Sequence, residues 1–327
     1  MTAIKAIRIE KNGGPETMAL KDVDLPAPGP GEITVRAKAI GINFIDTYHR
    51  SGLYPVKLPS GIGMEAAGVV EALGEGVTQF AKGDRVAYAS GPVGAYAEAH
   101  NVSAASAAKV PDGVSDEEAA AMMLKGMTAQ FLLRQTFKVE KGQTILWHAA
   151  AGGVGLIACQ WAKHLGATVI GTTSSEEKAK LAREHGCDHV IDYTKEDVAE
   201  RVKEITNGRK LPVVYDGVGK ATFLSSLDSL APLGLLVSFG NASGPVTDVN
   251  LGILAQKGSL YVTRPTMYHY AAKTPTAFQE MADDLFAVVK SGAVKIEVNQ
   301  RYSLAEAARA HLDLEGRKTT GASVLVP

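Results

Sequence analysis

Apolar and polar positions change rhythm along the 327-residue chain. Up to about residue 125 the apolar residues alternate in short runs separated by glycine- and proline-rich turns, the pattern of strands. Ala3 to Glu10 alternates, and the turn-rich LPAPGPGE (Leu25 to Glu32) leads into a second alternating run, Ile33 to Ile40. Gly63 to Val70 begins a further strand, and Lys82 to Tyr88 reads as a turn into another. Short strands with frequent glycines predict a partly closed, barrel-like β domain.

A helix is then expected over Ala119 to Gln135, opened by Ser115 as N-cap with Glu118 three residues on. From Lys141 the rhythm becomes βα. Strands are expected near 144–149, 167–172, 188–191, 211–216, 234–240 and 259–263, with helices over 153–165, 175–185, 195–206 and 219–230. Such alternation predicts an α/β fold, a doubly wound parallel sheet with helices on both faces. After Pro265 come a helix (Thr276 to Ser291), a strand (Ile296 to Tyr302), a helix (Leu304 to Leu314) and a closing strand (Ala322 to Val326). This tail is expected to return to the first domain. The chain then divides into 1–125 together with 268–327, and an inserted 126–267, with a ligand cleft between the two.

The most informative stretch is Gln143 to Gly166. A short apolar strand, Thr144 to His148, runs through Ala149-Ala150-Ala151-Gly152-Gly153-Val154-Gly155 into a helix. Strand, Gly-rich turn and helix together form the context of a dinucleotide-binding fingerprint. The glycines let the backbone approach a pyrophosphate, and the helix N-terminus offers N–H groups and a positive dipole end. In NAD-binding folds an acid at the end of the second strand accepts from the ribose 2′-OH. Here Thr172, Thr173 and Ser174 occupy that place. No carboxylate there repels a 2′-phosphate, Ser174 supplies a hydroxyl, and Lys178 stands one helical turn on. NADPH is therefore expected over NADH. In the plainer alternative, Ser174 or Ser175 is only an N-cap and Lys178 a solvated charge.

The totals narrow the class. Hydrophobic content of 46% with 21% charged residues describes a globular protein, and a net charge of −1 gives no electrostatic case for nucleic acid or an anionic membrane. Charges at Lys5, Arg8, Glu10 and Lys11 interrupt the N-terminus as a signal peptide, and no run is long enough to span a bilayer. The two cysteines, Cys159 and Cys187, have no metal-type spacing. A cytoplasmic protein is expected.

Several motifs together resemble a known family. They are Gly41-Ile42-Asn43-Phe44-Ile45-Asp46-Thr47-Tyr48, Gly52-Leu53-Tyr54-Pro55, Gly63-Met64-Glu65-Ala66-Ala67-Gly68, Lys82-Gly83-Asp84-Arg85-Val86 and the turn at 149–155. Over nearly its whole length the chain resembles the medium-chain dehydrogenase/reductases, and within them the zeta-crystallin-like NADPH:quinone oxidoreductases. The likeness to bacterial members is greatest through His148 to Gly166 and Val237 to Pro265. The turn departs from Gly-x-Gly-x-x-Gly in that Ala150 replaces the first glycine. The resemblance implies a GroES-like catalytic domain and a Rossmann cofactor domain. Zinc alcohol dehydrogenases of this superfamily hold metal through Cys and His; here Asn43 and Met64 stand at those positions, beside Glu65. With two of three usual ligands replaced, zinc-alkoxide chemistry is not expected.

What remains is hydride transfer to an acceptor that is already electrophilic, and quinones qualify because reduction makes them aromatic. By resemblance, Asn43 and Tyr48 lie near the nicotinamide, with Tyr54 lining the acceptor site. For each, a turn or packing role is the plain alternative. Cofactor contacts carried over by position are Asn43, Thr128, Gly152, Gly153, Val154, Gly155, Ser174, Lys178, Tyr193, Phe239, Gly240, Asn241 and Arg317; the sequence alone favours a solvated charge for Arg317. His49, His100, His148 and His269 are scattered and read as packed or surface residues. No general acid is assigned. The apolar run Ser259 to Thr263 reads as a sheet edge, and the resemblance implies a homodimer through it. Two rival readings are a reductase of activated alkenes (enones or alkenals) and a non-catalytic NADPH- or RNA-binding protein.

Overall fold

The computed structural model describes residues 2–327. They form two compact units. One contains the described residues through Met127 with Tyr270–Lys290 and Ile296–Pro327; the other contains Thr128–His269 and Ser291–Lys295.

The first unit is built on a seven-stranded sheet. Its order is Val298–Ser303, Ala322–Val326, Glu32–Ile42, Glu65–Leu73, Arg85–Ala89 and Ala107–Lys109, with Ala99–Ser103 also paired to Glu32–Ile42. Among the described residues this sheet does not close into a barrel. A smaller sheet pairs Thr2–Ile9 with Ala19–Leu25 and with Ser60–Gly61. The tail strand Ala322–Val326 pairs antiparallel with Glu32–Ile42, placing Val324 opposite Gly41. Alternation predicted most of these strands. Ala19–Leu25 escaped because its charged ALKDVDL is largely exposed and lacks an apolar face. Ile9, Ile33, Ile40, Ile62, Val86 and Tyr96 sit in the core between the sheets.

The second unit is a six-stranded parallel sheet in the order His189–Asp192, Thr168–Thr173, Thr144–Trp147, Leu211–Asp216, Leu230–Ser238 and Tyr261–Thr263. Numbered along this unit, the order is 3-2-1-4-5-6, the doubly wound arrangement. All six strands run parallel, and the order in which they are added reverses between Thr144–Trp147 and Leu211–Asp216, the switch point at whose carboxyl ends such sheets bind ligands. Both strands are buried, and Trp147 stacks on Tyr215 with ring centres 4.8 Å apart.

Local chemistry sets the helix ends. Ser115 and Glu118 exchange hydrogen bonds at the start of Asp116–Phe131, and Asp197 accepts from Glu200 N at the start of Val198–Ile205. The helix expected over 119–135 instead ends at Phe131 and passes into a wider π-type turn, Leu132–Thr136. The one expected over 219–230 is cut to Phe223–Asp228 because Asp216 captures Val218 N, Gly219 N and the Thr222 hydroxyl, folding 217–222 into a turn.

Candidate functional site

The Gly-rich turn lies at the topological switch of the parallel sheet. His148 N donates to Tyr215 O at 3.0 Å, Ala150 N to Thr172 O at 3.0 Å and Ala149 N to the Thr172 hydroxyl at 3.2 Å. The turn is thus tied to the strands on both sides. Ala149 takes a left-handed φ of 55°. Gly152 then caps the helix Gly153–His164, whose first N–H groups have no partner within the helix. Gly155 is required by packing: a Cβ there would fall 2.5 Å from Ala149 O and 2.6 Å from Ala150 O. The departure at Ala150 has a partner elsewhere. A Cβ on Gly171 would meet the Ala150 Cβ at 2.7 Å, so Gly171 leaves the room that Ala150 fills.

Behind the turn lies a closed polar chain that spacing did not reveal. His148 Nδ1 is 3.1 Å from the Thr172 hydroxyl and its Nε2 is 3.0 Å from Ser226 Oγ, which donates to Asp216 Oδ2 at 2.8 Å. All four residues are buried. Burial holds His148 below the usual imidazole range. Ser226 gives its only proton to Asp216, so it accepts from His148 Nε2, and His148 Nδ1 accepts from Thr172. This is a neutral bracing histidine, and no nucleophile is exposed by it.

At the end of the second strand, Ser174 is half-buried, and Ser175 is the N-cap of Glu176–Glu184, accepting from Lys178 N at 3.3 Å. The Thr173 hydroxyl is buried without a hydrogen-bond partner. An orphaned donor there suits a ligand carrying phosphate or hydroxyl oxygens. The neighbouring strand brings Tyr193, whose N–H donates to Thr173 O at 3.1 Å and whose side chain is exposed. It also brings Asp192, whose carboxylate pairs with Lys195 at 3.0 Å. At the fifth strand, Phe239 packs 5.4 Å from Trp147, and Gly240 and Asn241 follow it. Arg264, absent from the sequence-based set, donates to Ser238 O and Gly240 O at 2.9 and 3.0 Å and pins this end. Gly153, Val154 and Thr128 are half-buried, Thr128 on the helix that leads into this unit.

The first unit gathers Asn43, Tyr48 and Tyr54. Asn43 is the N-cap of Phe44–Ser51; Tyr48 lies buried on that helix, and Tyr54 packs on it edge-on with ring centres 5.1 Å apart. Asn43 Nδ2 donates to Glu65 Oε2 at 2.7 Å, and Leu124 N donates to Glu65 Oε1 at 2.7 Å. Lys125 Nζ stands 3.4 Å from Glu65 Oε2, with both side chains buried. Asn43 N donates to Asp46 Oδ2 at 2.8 Å. Arg317 also belongs to this unit, exposed with a left-handed φ of 57° after the helix Ala307–Glu315.

This donor set does not fit a catalytic zinc. Both Glu65 oxygens are engaged, an ammonium lies beside them, and Asn43 presents its N–H₂ to the same carboxylate. Zinc wants about three N, S or O ligands free to converge. Among the described residues no group of three or more His, Cys, Asp or Glu could hold a metal. Lys125, Asp46 and Tyr96 were not among the expected site residues. The one signal for Lys125 was a lone cation within the apolar run Ala119 to Met127.

A doubly wound nucleotide-type unit joined to an open β unit with a capped polar helix is the build of a dehydrogenase or reductase. The family model described as alcohol dehydrogenase GroES-like domain matches residues 29–112, and that described as zinc-binding dehydrogenase matches 153–287. A quinone oxidoreductase of Pseudomonas aeruginosa is 61% identical, covering 99% of each chain. The crystal structure of Escherichia coli quinone oxidoreductase complexed with NADPH superposes with a TM-score of 0.97 at 52% identity, covering 99% of this chain and 100% of that one. A 2-haloacrylate reductase of a Burkholderia species is 46% identical, covering 99% of each. The chain belongs to the quinone oxidoreductase family of the medium-chain dehydrogenase/reductases.

Proposed function

We propose that this protein is an NADPH-dependent quinone oxidoreductase that works without zinc. The observation that carries the reading is end-to-end similarity, at more than half identity, to a quinone oxidoreductase solved with NADPH. NADPH supplies the hydride. The quinone takes up the hydride and a proton and becomes the hydroquinone, so no Lewis acid is needed to create the electrophile.

The chain's own part is to bind, orient and exclude water. Gly152, Gly153, Val154 and Gly155 cradle the pyrophosphate at the helix N-terminus. Ser174 and Lys178 take the 2′-phosphate, the orphaned Thr173 hydroxyl standing next to them. Tyr193 flanks the adenosine, and Thr128, Phe239, Gly240, Asn241 and Arg317 complete the cofactor contacts. Asn43, Tyr48 and Tyr54 face the nicotinamide and the acceptor. Residues 1–125 with 268–327 act as the catalytic domain and 126–267 as the cofactor domain. The edge strand Tyr261–Thr263, with Tyr261 and Val262 exposed, supports a homodimer through this sheet. We assign the enzyme to the cytoplasm; no helix among the described residues is long and apolar enough to cross a membrane.

Activated alkenes are the second reading, favoured by the 46% identity to a 2-haloacrylate reductase. Profiling NADPH oxidation against para-benzoquinone, an enone and 2-chloroacrylate separates them. The quinone is expected to give the highest kcat/KM; a higher value with either alkene overturns the acceptor assignment.

A further inference from the structure

Asp46, which accepts from Asn43 N, is one end of a longer buried chain of polar groups. This chain begins on the helix Phe44–Ser51, crosses the first unit and ends on the helix Ala307–Glu315. Arg50 Nη1 lies 2.9 Å from His311 Nδ1, His311 Nε2 lies 3.1 Å from the Tyr96 hydroxyl, and that hydroxyl donates to Asp46 Oδ2 at 2.9 Å. Arg50, Tyr96, His311 and Asp46 are each no more than 2% exposed. At its outer end Arg50 makes a two-pronged pair with Glu315, at 3.0 and 2.8 Å.

The direction of every bond follows from the donors. A guanidinium only donates, so His311 Nδ1 accepts. A neutral imidazole then carries its proton on Nε2 and donates it to the Tyr96 oxygen. Burial and the adjacent Arg50 keep His311 neutral, pushed down to about 3. Tyr96 has one proton and must give it to Asp46. The same Asp46 oxygen accepts from Asn43 N at 2.8 Å. The other, Oδ1, is buried with no hydrogen-bond partner.

We infer that Tyr96 and His311 are positioning residues for the reaction, acting through Asp46 on Asn43 and the helix that Asn43 begins. This rests on the reading of Asn43 as an acceptor-side residue. The geometry makes Oδ2 the fixed acceptor for both Tyr96 and Asn43 and leaves Oδ1 as the place for a proton. A proton on Oδ1 weakens what Oδ2 accepts and so loosens Asn43. Asp46 is poised for that change: burial pushes its carboxyl up to about 7, opposed by the bonds from Asn43 N and Tyr96 and by Lys125, with Glu65 adding to the rise. Arg50 and His311 complete the charged and titratable groups behind Tyr96. A proton wire to solvent is not offered, because Arg50 occupies the only free nitrogen of His311.

The test compares the wild type with Tyr96→Phe, His311→Leu and His311→Gln, following kcat for NADPH oxidation with a small para-quinone between about pH 5 and 9, and the Asp46 side-chain carboxyl by ¹³C NMR. Removing the Tyr96 hydroxyl takes a hydrogen bond from the charged form, which raises the Asp46 pKa. In the wild type the acid limb of kcat and the NMR midpoint are both expected near 7, where burial places the Asp46 carboxyl. In Tyr96→Phe and His311→Leu both should move up by about one pH unit, giving about a tenfold loss of kcat near pH 6 and little change at pH 9. His311→Gln, whose amide accepts from Arg50 and donates to Tyr96, should hold both near the wild-type position. Normalised profiles and NMR midpoints that coincide in Tyr96→Phe and the wild type overturn the inference, as does a downward shift. Should Tyr96→Phe fail to fold, His311→Leu against His311→Gln reads the same difference. Absence of quinone turnover in the wild type defeats the functional reading instead; an NMR midpoint that then still moves in the variants keeps the wiring of Asp46, and one that does not defeats that too.

Discussion

Lys125 and Glu65 form a buried ion pair 3.4 Å apart, and the same Glu65 oxygen accepts from Asn43 at 2.7 Å. Buried charges demand compensation, and breaking such a pair from one side typically costs about 3–5 kcal/mol. Lys125→Met should destabilise the protein by roughly that amount, measured by urea unfolding. The double variant Glu65→Gln/Lys125→Met removes both charges and should recover most of the loss. A double variant no more stable than Lys125→Met would mean that the pair is not the relevant interaction.

Gly155 is held by backbone on two sides, with a Cβ at 2.5 Å from Ala149 O and 2.6 Å from Ala150 O. Carbonyls on the nucleotide turn cannot move without moving the turn. Gly155→Ala should cost about 1–3 kcal/mol of stability and weaken NADPH binding in fluorescence titration. Gly142→Ala is the backbone-only control: its φ of +86° is strained for alanine, and no atom lies within 4 Å of the added Cβ. It should leave the affinity alone.

Ser174 and Lys178 are assigned to the 2′-phosphate. A charge-assisted hydrogen bond contributes about 1.5–3 kcal/mol. Lys178→Ala should therefore raise the KM for NADPH by roughly 10–150-fold while that for NADH changes little; Ser174→Ala should do the same to a smaller extent. Equal losses with both cofactors would move these residues away from the phosphate.

Three buried groups contribute to the acid stability alongside His148, which burial also holds low. His100 and His311 are pushed down to about 4 and about 3 by burial, so the unfolded chain binds their protons first. Their contribution is complete above 6.5 and is lost as pH falls toward those values. Asp46 is pushed up to about 7 by burial, so its contribution is complete below 3.8 and is lost as pH rises through 7. Between about pH 4 and 6.5 two protons oppose one, and these groups make stability rise by roughly 1.4 kcal/mol per pH unit. Asp46→Asn should steepen the measured slope and His311→Gln should lessen it, each by roughly 1.4 kcal/mol per pH unit, in denaturant midpoints measured across the range.

The nucleotide half of the fold was legible because its signals are local. Alternating strands and helices, glycines at a strand end and a missing acid at the second strand can all be read within thirty residues. Asn43, Tyr48 and Tyr54 were reached by resemblance, and the fold gathers them on one helix and the loop after it. What escaped was long-range polar pairing. Tyr96 and His311 are 215 positions apart, and Lys125 and Glu65 are 60 apart. No periodicity brings such residues together; for His311 it is the tail that returns to the first unit, its strand Ala322–Val326 pairing with Glu32–Ile42. Helix ends were misjudged where a side chain such as Asp216 captured backbone N–H groups, a competition that apolar spacing does not record.

The most direct test is the rate of NADPH oxidation by a small para-quinone, run beside NADH and repeated after exhaustive dialysis against a zinc chelator. Quinone-dependent turnover that prefers NADPH and is unchanged by the chelator is the predicted result. Turnover abolished by the chelator and restored by zinc, or none with any quinone despite tight NADPH binding, would contradict a metal-free quinone reductase.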